Sequence, residues 1–285
     1  MNQVYDLHCH STASDGSLTP RQLVLKAAQQ RVNVLALTDH DVTDGLDEAG
    51  QAAAEAGIGF VPGIEVSVTW QRLTVHIVGL NIDVNHPPLQ AGLAKLLEFR
   101  NWRGAEIARR LAKSGIPGAL EGAAAFAGGK ILSRTHFAHF LVDQGHAGDM
   151  GEVFKRFLVN KKPGYVPGQW ASLEEAVNWI RQPGGIAVIA HPARYSMTAT
   201  RLRKLIGEFK ELGGEGFEVV SGTHSRDEVQ YMSRLASRFG LLSSCGSDYH
   251  GPKNPYLELG RLMPFPEACV PVWESERWPL RPAKG

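Results

Sequence analysis

A chain of 285 residues, 43% hydrophobic and 21% charged, can bury a sizeable core, as one large α/β domain or a domain carrying an insertion. No apolar run approaches the roughly 20 residues needed to span a bilayer, and the opening residues lack the basic-then-apolar order of a secretory signal. The formal charge is only +1, and three scattered cysteines, Cys9, Cys245 and Cys269, exclude a disulfide framework and point to a reducing compartment, the cytoplasm.

Short apolar runs alternate with helical patterns, the order expected of βα units around a parallel sheet. Val4–His10 reads as a strand and Pro20–Val32 as a helix, with Thr19 as N-cap and Pro20 at the first helical position. Val34–Thr38 is the next strand, Leu46–Ala56 an alanine-rich helix, and Phe60–Val68 and Leu73–Leu80 two further strands. Between about 90 and 165 the strand patterns stop. Leu93–Leu111, Leu120–Phe126, Thr135–Val142 and Glu152–Leu158 read as helices, punctuated by Gly128-Gly129 and Pro163-Gly164. Strands resume at Ile186–Ala190, Gly216–Val220 and Leu241–Cys245, separated by helices near 172–182, 199–212 and 226–239. The expected organisation is a barrel over 1–95, a helical insertion over 96–165 that caps the substrate, and the rest of the barrel over 166–285. The proline- and tryptophan-rich tail after Pro264 is expected across the barrel's outside. Residues 100–165 hold eleven basic and five acidic side chains, a local +6 that leaves −5 for the rest. Solvated helix faces account for that surplus as readily as a field attracting an anionic substrate.

His8-Cys9-His10 closes the first strand, and side chains alternate faces along a strand, so the two imidazoles point the same way. Asp15 follows in the small-residue loop Ser11-Thr-Ala-Ser-Asp15-Gly. The second strand ends in Thr38-Asp39-His40, the third in Gly63-Ile-Glu65, and the fourth contains His76. Later strands end in Ala190-His191-Pro192 and Gly246-Ser-Asp248-Tyr-His250. One His-x-His pair is commonly an accident. Six strand ends bearing such groups are not, because burying that many ionisable side chains unpaired would cost several kcal/mol each. Imidazole and carboxylate without thiolate suit two to three divalent cations, Mn²⁺ first, with Zn²⁺ or Fe²⁺ as alternatives.

Four of these motifs, His8-x-His10, Thr38-Asp39-His40, His191-Pro192 and Ser247-Asp248-x-His250, resemble those of the PHP (polymerase and histidinol phosphatase) family. The resemblance covers the barrel portions of the chain. It implies an α/β fold, a distorted (β/α)₇ TIM-like barrel with up to three metals. One metal would take His8, His10, Glu65 and Asp248; a second would share Glu65 and add His76 and His191; a third would take Asp15, His40 and His250. Position 15 is a histidine in some members, so Asp15 implies a weaker or differently selective third site. Asp39 reads as a residue that orients ligands. Ser133-Arg134-Thr-His136, Lys162-Pro-Gly-Tyr165-Val-Pro and His191-Pro-Ala-Arg194 resemble the TrpH/YciV-like branch, which includes nucleoside 3′,5′-bisphosphate phosphatases and 5′→3′ exoribonucleases acting on short RNA.

The expected activity is removal of the 3′-phosphate from nucleoside 3′,5′-bisphosphates, leaving the 5′-monophosphate. Glu65 and Asp248 would hold the cations that activate the attacking hydroxide. His224, in a loop after a later strand, would act as acid or substrate contact. Arg134 and Arg194 would clamp a second phosphate, since guanidinium binds phosphate bidentately. Tyr249 packs rather than reacts, and His86, His139 and His146 read as surface or helix residues. The alternative is an exonuclease on short 5′-phosphorylated RNA, although Trp102 and Phe126 sit in no obvious stacking motif. A metal-dependent amidohydrolase or a non-catalytic metal-binding module ranks lower. The partner expected is a small nucleotide, with no membrane and no protein partner evident.

Overall fold

The strand-forming runs are short and apolar because they are covered on both sides: β2 (Val34–Leu37), β5 (Ile186–Ile189) and β6 (Gly216–Ser221) have no exposed position. In the computed structural model, which describes residues 3–252 and 255–280, they join β1 (Tyr5–Asp6), β3 (Gly59–Trp70), β4 (Leu73–Leu80) and β7 (Leu242–Gly246) in one seven-stranded sheet ordered as in the chain. All pairings are parallel except the two made by β4. The βα alternation expected throughout breaks there, because β3 turns straight into β4 through Gln71 and Arg72, at φ 45° and 67°. Two successive positive φ angles are the signature of a tight hairpin. The sheet closes on itself. Leu7 N–H donates to Cys245 O at 3.0 Å, Asp248 N–H to His8 O at 2.8 Å and His10 N–H to Tyr249 O at 2.9 Å, joining β1 to β7. This seam needs Gly246, where a Cβ would lie 2.2 Å from that of His8. The result is a distorted seven-stranded barrel.

The helices are α1 (Pro20–Gln29), α2 (Leu46–Ala56), α3 (Pro87–Lys113), α4 (Ala119–Ala124), α5 (Arg134–Asp143), α6 (Met150–Val153), α7 (Leu173–Arg181), α8 (Ala199–Glu211) and α9 (Arg226–Phe239). Capping boxes at Thr19–Gln22, Ser172–Glu175 and Ser225–Glu228 start α1, α7 and α9. α3 begins earlier than its apolar pattern suggests. Pro87 and Pro88 occupy the first positions, where a missing N–H costs nothing. Its first half packs Leu89, Leu93 and Leu96 into the barrel's core. Its second half packs Ile107 and Leu111 into a separate core with Phe137, Leu141, Leu158 and Val166. The passage from barrel to helical unit is thus made inside one continuous helix, and the expected boundary at residue 96 falls within it.

The tail starts on the outer layer, where Cys269 packs against Ser233 of α9, but does not stay there. Val272 and Trp278 are buried with Leu7, Ala36, Val61, Val78 and Val188 in the barrel's interior cluster, and Trp273 stacks on Tyr5 at 3.9 Å. Strands this short leave the interior open at one end, and the two tryptophans fill it. A buried aromatic of this size is worth about 3–5 kcal/mol against alanine, so the tail belongs to the fold. The last five residues of the tail lie outside the described residues.

Candidate metal centre and adjoining anion pocket

The nine expected donors converge at the end of the barrel opposite those tryptophans. His8 and His10 share a face just beyond β1, while Cys9 between them points away, its Sγ 3.2 Å from Ala36 O. Glu65 is not at a strand end, because β3 continues to Trp70; His40, just past β2, bridges to it. His76 pairs in register with Ser67 on the neighbouring strand. That puts its ring diagonal to Glu65 on the same face.

Glu65 sits between two groups of imidazoles. Its Oε1 is 2.9 Å from both His76 Nδ1 and His191 Nε2. Its Oε2 is 3.3 Å from His8 Nε2 and His10 Nε2, and 2.9 Å from His40 Nδ1. Asp248 Oδ1 is 3.0 Å from His10 Nε2 and 3.4 Å from His8 Nε2. Asp15 Oδ1 is 3.3 Å from His250 Nε2 and 3.9 Å from His40 Nε2. Three donor sets lie close enough to hold an ion: His8, His10, Glu65 and Asp248; His40, Glu65 and His76; and His10, Asp15, His40 and His250. His191 joins the second through Glu65.

His76, His191 and His10 hydrogen-bond the carboxylates they face, but other approaches in the set are not hydrogen bonds. Glu65 Oε2, His8 Nε2, His40 Nδ1 and Asp15 Oδ1 are buried with no hydrogen-bond partner, although each faces another donor atom. Polar atoms that converge without bonding one another suit a shared cation, and the chemistry of this donor set fits one. The electrostatics agree. Burial opposes charge on His8 and His10, yet Glu65 and Asp248 outweigh it, holding His8 well above its ordinary pKa and His10 up to about 10. Burial likewise opposes charge on Glu65, Asp248 and Asp15, but surrounding imidazoles, and Arg194 for Asp248, keep all three well below the usual carboxylate range. A pocket that works this hard to keep positive charge beside its carboxylates binds divalent cations.

Several residues that sequence reasoning passed over orient this set. Glu218, buried in β6, has Oε1 3.2 Å from His8 Nδ1, and its other oxygen accepts the His191 backbone N–H. A carboxylate only accepts, so Nδ1 keeps its proton toward Glu218 and Nε2 is the atom that would give its lone pair to a cation. It also pins His191 at φ 26°, a strained angle for a side chain of that size. The available signal was a lone acid inside the all-buried strand Gly-Phe-Glu-Val-Val. The Asp248 carbonyl, 2.9 Å from His250 Nδ1, fixes that tautomer by the same logic. Tyr195 Oη accepts the His76 N–H at 2.8 Å. Asp39, which the sequence did mark as a ligand-orienting residue, accepts from Ser11 N and from the Ser11 and Ser14 hydroxyls at 2.8, 2.6 and 2.5 Å, folding the loop that carries Asp15.

Beside His40 and His76 opens a pocket lined by Asp15, Arg100, Arg103, Arg134, Phe154 and Trp170. Arg100 is neutralised by Asp41. Arg103 gives two hydrogen bonds to Val166 O and stacks on Trp170, with no carboxylate among its described contacts. Arg134 lies over the Phe154 ring and, among the described residues, forms no hydrogen bond or ion pair. Burial, then Arg134 and Arg100, pull the Arg103 guanidinium down to about 9; burial and Arg100 lower that of Arg134. Asp15 lines the same pocket, but among the described residues no carboxylate bonds either guanidinium, an arrangement suited to an anion.

Arg194 is elsewhere. It ion-pairs with Asp248 and donates to Thr223 Oγ1 at 2.8 Å, so it lies against the donor cluster and not in the arginine pocket. His224 is buried with Nδ1 3.0 Å from Val219 O. A carbonyl only accepts, so Nδ1 carries the proton and the unpartnered Nε2 is an acceptor.

A barrel with such donors at one end defines a divalent-metal hydrolase. A family model described as the PHP domain matches residues 6–182, and the chain belongs to that family. The chain is 49% identical over 280 residues, 98% of each sequence, to the 3′,5′-nucleoside bisphosphate phosphatase of Chromobacterium violaceum. It is 46% identical over 275 residues to the 5′-3′ exoribonuclease of Haemophilus influenzae, covering 96% of this chain and all of that one. A solved structure from Chromobacterium violaceum, described as an amidohydrolase with bound sulfate and no metal, superposes with a TM-score of 0.92 at 48% identity, covering 95% of this chain and 94% of that one.

Proposed function

We propose that this protein hydrolyses the 3′-phosphate of nucleoside 3′,5′-bisphosphates to give the 5′-monophosphate and phosphate. One observation carries the reading: a pair of arginines that no described carboxylate bonds adjoins a cation-binding donor cluster, one site for each of two phosphates on a single small molecule. The phosphatase activity named for the relative at 49% identity supports it.

His8, His10, Glu65 and Asp248 would hold one cation, Glu65, His76 and His191 a second, and Asp15, His40 and His250 a third. Mn²⁺ suits six imidazoles with three carboxylates better than Mg²⁺, which prefers oxygen and water. Bound there, divalent ions supply Lewis acidity toward the phosphoryl oxygens and lower the pKa of water. The chain's own residues do the positioning. Arg103 and Arg134 bind the 5′-phosphate, and the distance from that pocket to the donors selects which ester bond is attacked. Arg194 aligns Asp248 and reaches toward the phosphate being cleaved. His224 contacts substrate as an acceptor; with its proton held at Nδ1 it cannot protonate O3′ until it gains a second one. The three free, buried thiols support a cytoplasmic setting.

The test is Mn²⁺-loaded protein assayed on a nucleoside 3′,5′-bisphosphate, the matching 3′-monophosphate and p-nitrophenyl phosphate. The expected products from the first are the 5′-monophosphate and phosphate, at a higher kcat/KM than for the other two. Equal kcat/KM on the 3′-monophosphate would count against the two-phosphate reading.

A further inference from the structure

The arginine pocket and the donor cluster meet at one carboxylate. Asp15 Oδ1 faces His250 and His40 in the cluster, while its Oδ2 accepts from the Ser133 and Thr135 hydroxyls at 3.1 and 2.9 Å. Those two residues flank Arg134 at the start of α5. Ser133 is the N-cap, its oxygen also accepting the Thr135 N–H at 3.1 Å. Three consecutive side chains therefore serve two ligand sites: the outer pair bonds a cation donor and the middle one lines the anion pocket. Asp15 is the only carboxylate in its donor set. Among the described residues, Glu65 and Asp248 take no such bond from the helical unit; their side-chain partners are imidazoles and Arg194.

The helical unit packs closely on the loop that carries Asp15. A side-chain carbon at Gly128 or Gly129 would come within 2.7 Å of Thr12 Cβ or 2.5 Å of Ala13 O. Two hydroxyl bonds to Oδ2 fix the rotation of the Asp15 carboxylate, and with it the direction of Oδ1. Charge couples the same residues. Burial and Arg100 weaken the hold of Arg134 on its proton, and Tyr165 and Asp15 oppose them. A cation on Asp15 engages that carboxylate's charge and leaves Arg134 freer to bind an anion. The cation and the anion then attract each other across a partly buried site, where water screens them poorly.

We propose that the arginine pocket and the cation site of Asp15, His40 and His250 are coupled through Ser133 and Thr135, so that a tetrahedral dianion on Arg103 and Arg134 tightens that site's hold on its cation. The inference rests on the function proposed above, which supplies both sites. An anion that holds Arg134 also holds the residues beside it, so the entropy of ordering residues 133–135 is lost once for both ligands. By reciprocity the cation strengthens anion binding by the same factor. Ser133 and Thr135 are positioning residues in this scheme: they touch neither phosphate nor cation and act through Asp15. The consequence is a device for specificity. A substrate with a second phosphate completes the cation set, whereas a simple monoester meets an incomplete one when Mn²⁺ is scarce.

The experiment titrates metal-stripped protein with Mn²⁺ by equilibrium dialysis, in sulfate and in chloride at equal ionic strength. The site that Asp15→Asn removes should bind Mn²⁺ at least about fivefold tighter in sulfate, with the remaining sites changed by less than about twofold. Thr135→Val keeps the shape but not the hydroxyl. It should weaken that site roughly tenfold in chloride and lose most of the sulfate effect, and Thr135→Ser should restore both. Arg134→Ala should bind Mn²⁺ in chloride as wild type does and show no response to sulfate. The inference is overturned if sulfate has no effect on wild type, or if Thr135→Val binds and responds like wild type. It is also overturned if the sulfate effect survives in Arg134→Ala, since the anion would then act on the cations directly. Loss of no cation in Asp15→Asn ends the inference but leaves the cations around Glu65 standing. A wild type that binds no Mn²⁺ at all ends the metal reading itself.

Discussion

The donor cluster and the arginine pocket share Asp15, yet they handle charge in opposite ways. In the cluster, Glu65, Asp248 and Asp15 are buried among imidazoles, of which His8, His10 and His250 hold positive charge more tightly than usual while burial lowers the pKa of His40 and His191. In the pocket, like charges are pressed together until burial and mutual repulsion weaken the hold of Arg103 and Arg134 on their protons. Each imbalance suits a different ligand: cations in the first and, on the function proposed above, an anion in the second. Their supports differ as well. The cluster hangs from barrel strands and the segments just beyond them, with partners such as Glu218 fixing its rings. The pocket is formed by the helical unit closing over the barrel, and Arg103 and Arg134 are held by one carbonyl and two ring faces.

The contrast breaks most completely if the cluster's donors are dispensable. Asp248→Asn or His191→Ala should abolish hydrolysis of every phosphate ester while leaving the fold largely intact, and EDTA should do the same to wild type, reversibly with Mn²⁺. Near-wild-type turnover in a metal-quantified Asp248→Asn sample would end the cation assignment. A smaller effect is expected one layer out. Glu218→Gln leaves the nine donors in place but loses the charge that orients His8 and pins His191. Metal affinity should fall about 10- to 100-fold, measured by titration of metal-stripped protein, with turnover recovering at saturating Mn²⁺. A variant that binds metal normally would make Glu218 merely structural.

The same contrast explains what could be read from the sequence. His8, His10, His40 and Asp248 stand out because imidazoles and acids at the ends of apolar strands have no ordinary reason to be there. Strand alternation then puts His8 and His10 on one face without further information. The reversal of β4 was not legible, since Leu73–Leu80 reads as a strand in either direction and only the Gln71-Arg72 turn decides. The tail misled for a related reason: a tryptophan-rich segment says that it is buried, not against which surface. Arg100 and Arg103 were counted only as charge. On a 27-residue helix that leaves one core for another, which side chains meet Arg134 depends on how the helical unit docks, and helical periodicity does not encode that. Arg134 was noticed for its motif, and Arg194 was paired with it because both are arginines. The structure separates them.

That separation yields the finest test of the comparison. If the pocket binds the 5′-phosphate, Arg134→Ala removes one charge-assisted contact while Arg103 remains on the same anion. Such a contact is worth about 1.5–3 kcal/mol, and the surviving guanidinium keeps the loss near the lower end, roughly tenfold in kcat/KM. The loss should appear with nucleoside 3′,5′-bisphosphate and not with p-nitrophenyl phosphate, which has nothing to place there. Arg134→Lys restores the charge without the planar fork, so it should recover only part of the difference. Because neither change touches a proposed metal donor, bound metal and the p-nitrophenyl phosphate rate should both stay at wild-type values. A parallel fall on the two substrates would mean that Arg134 acts through Asp15 and the donor cluster. The two regions would then be a single site, with its charge balanced across the whole.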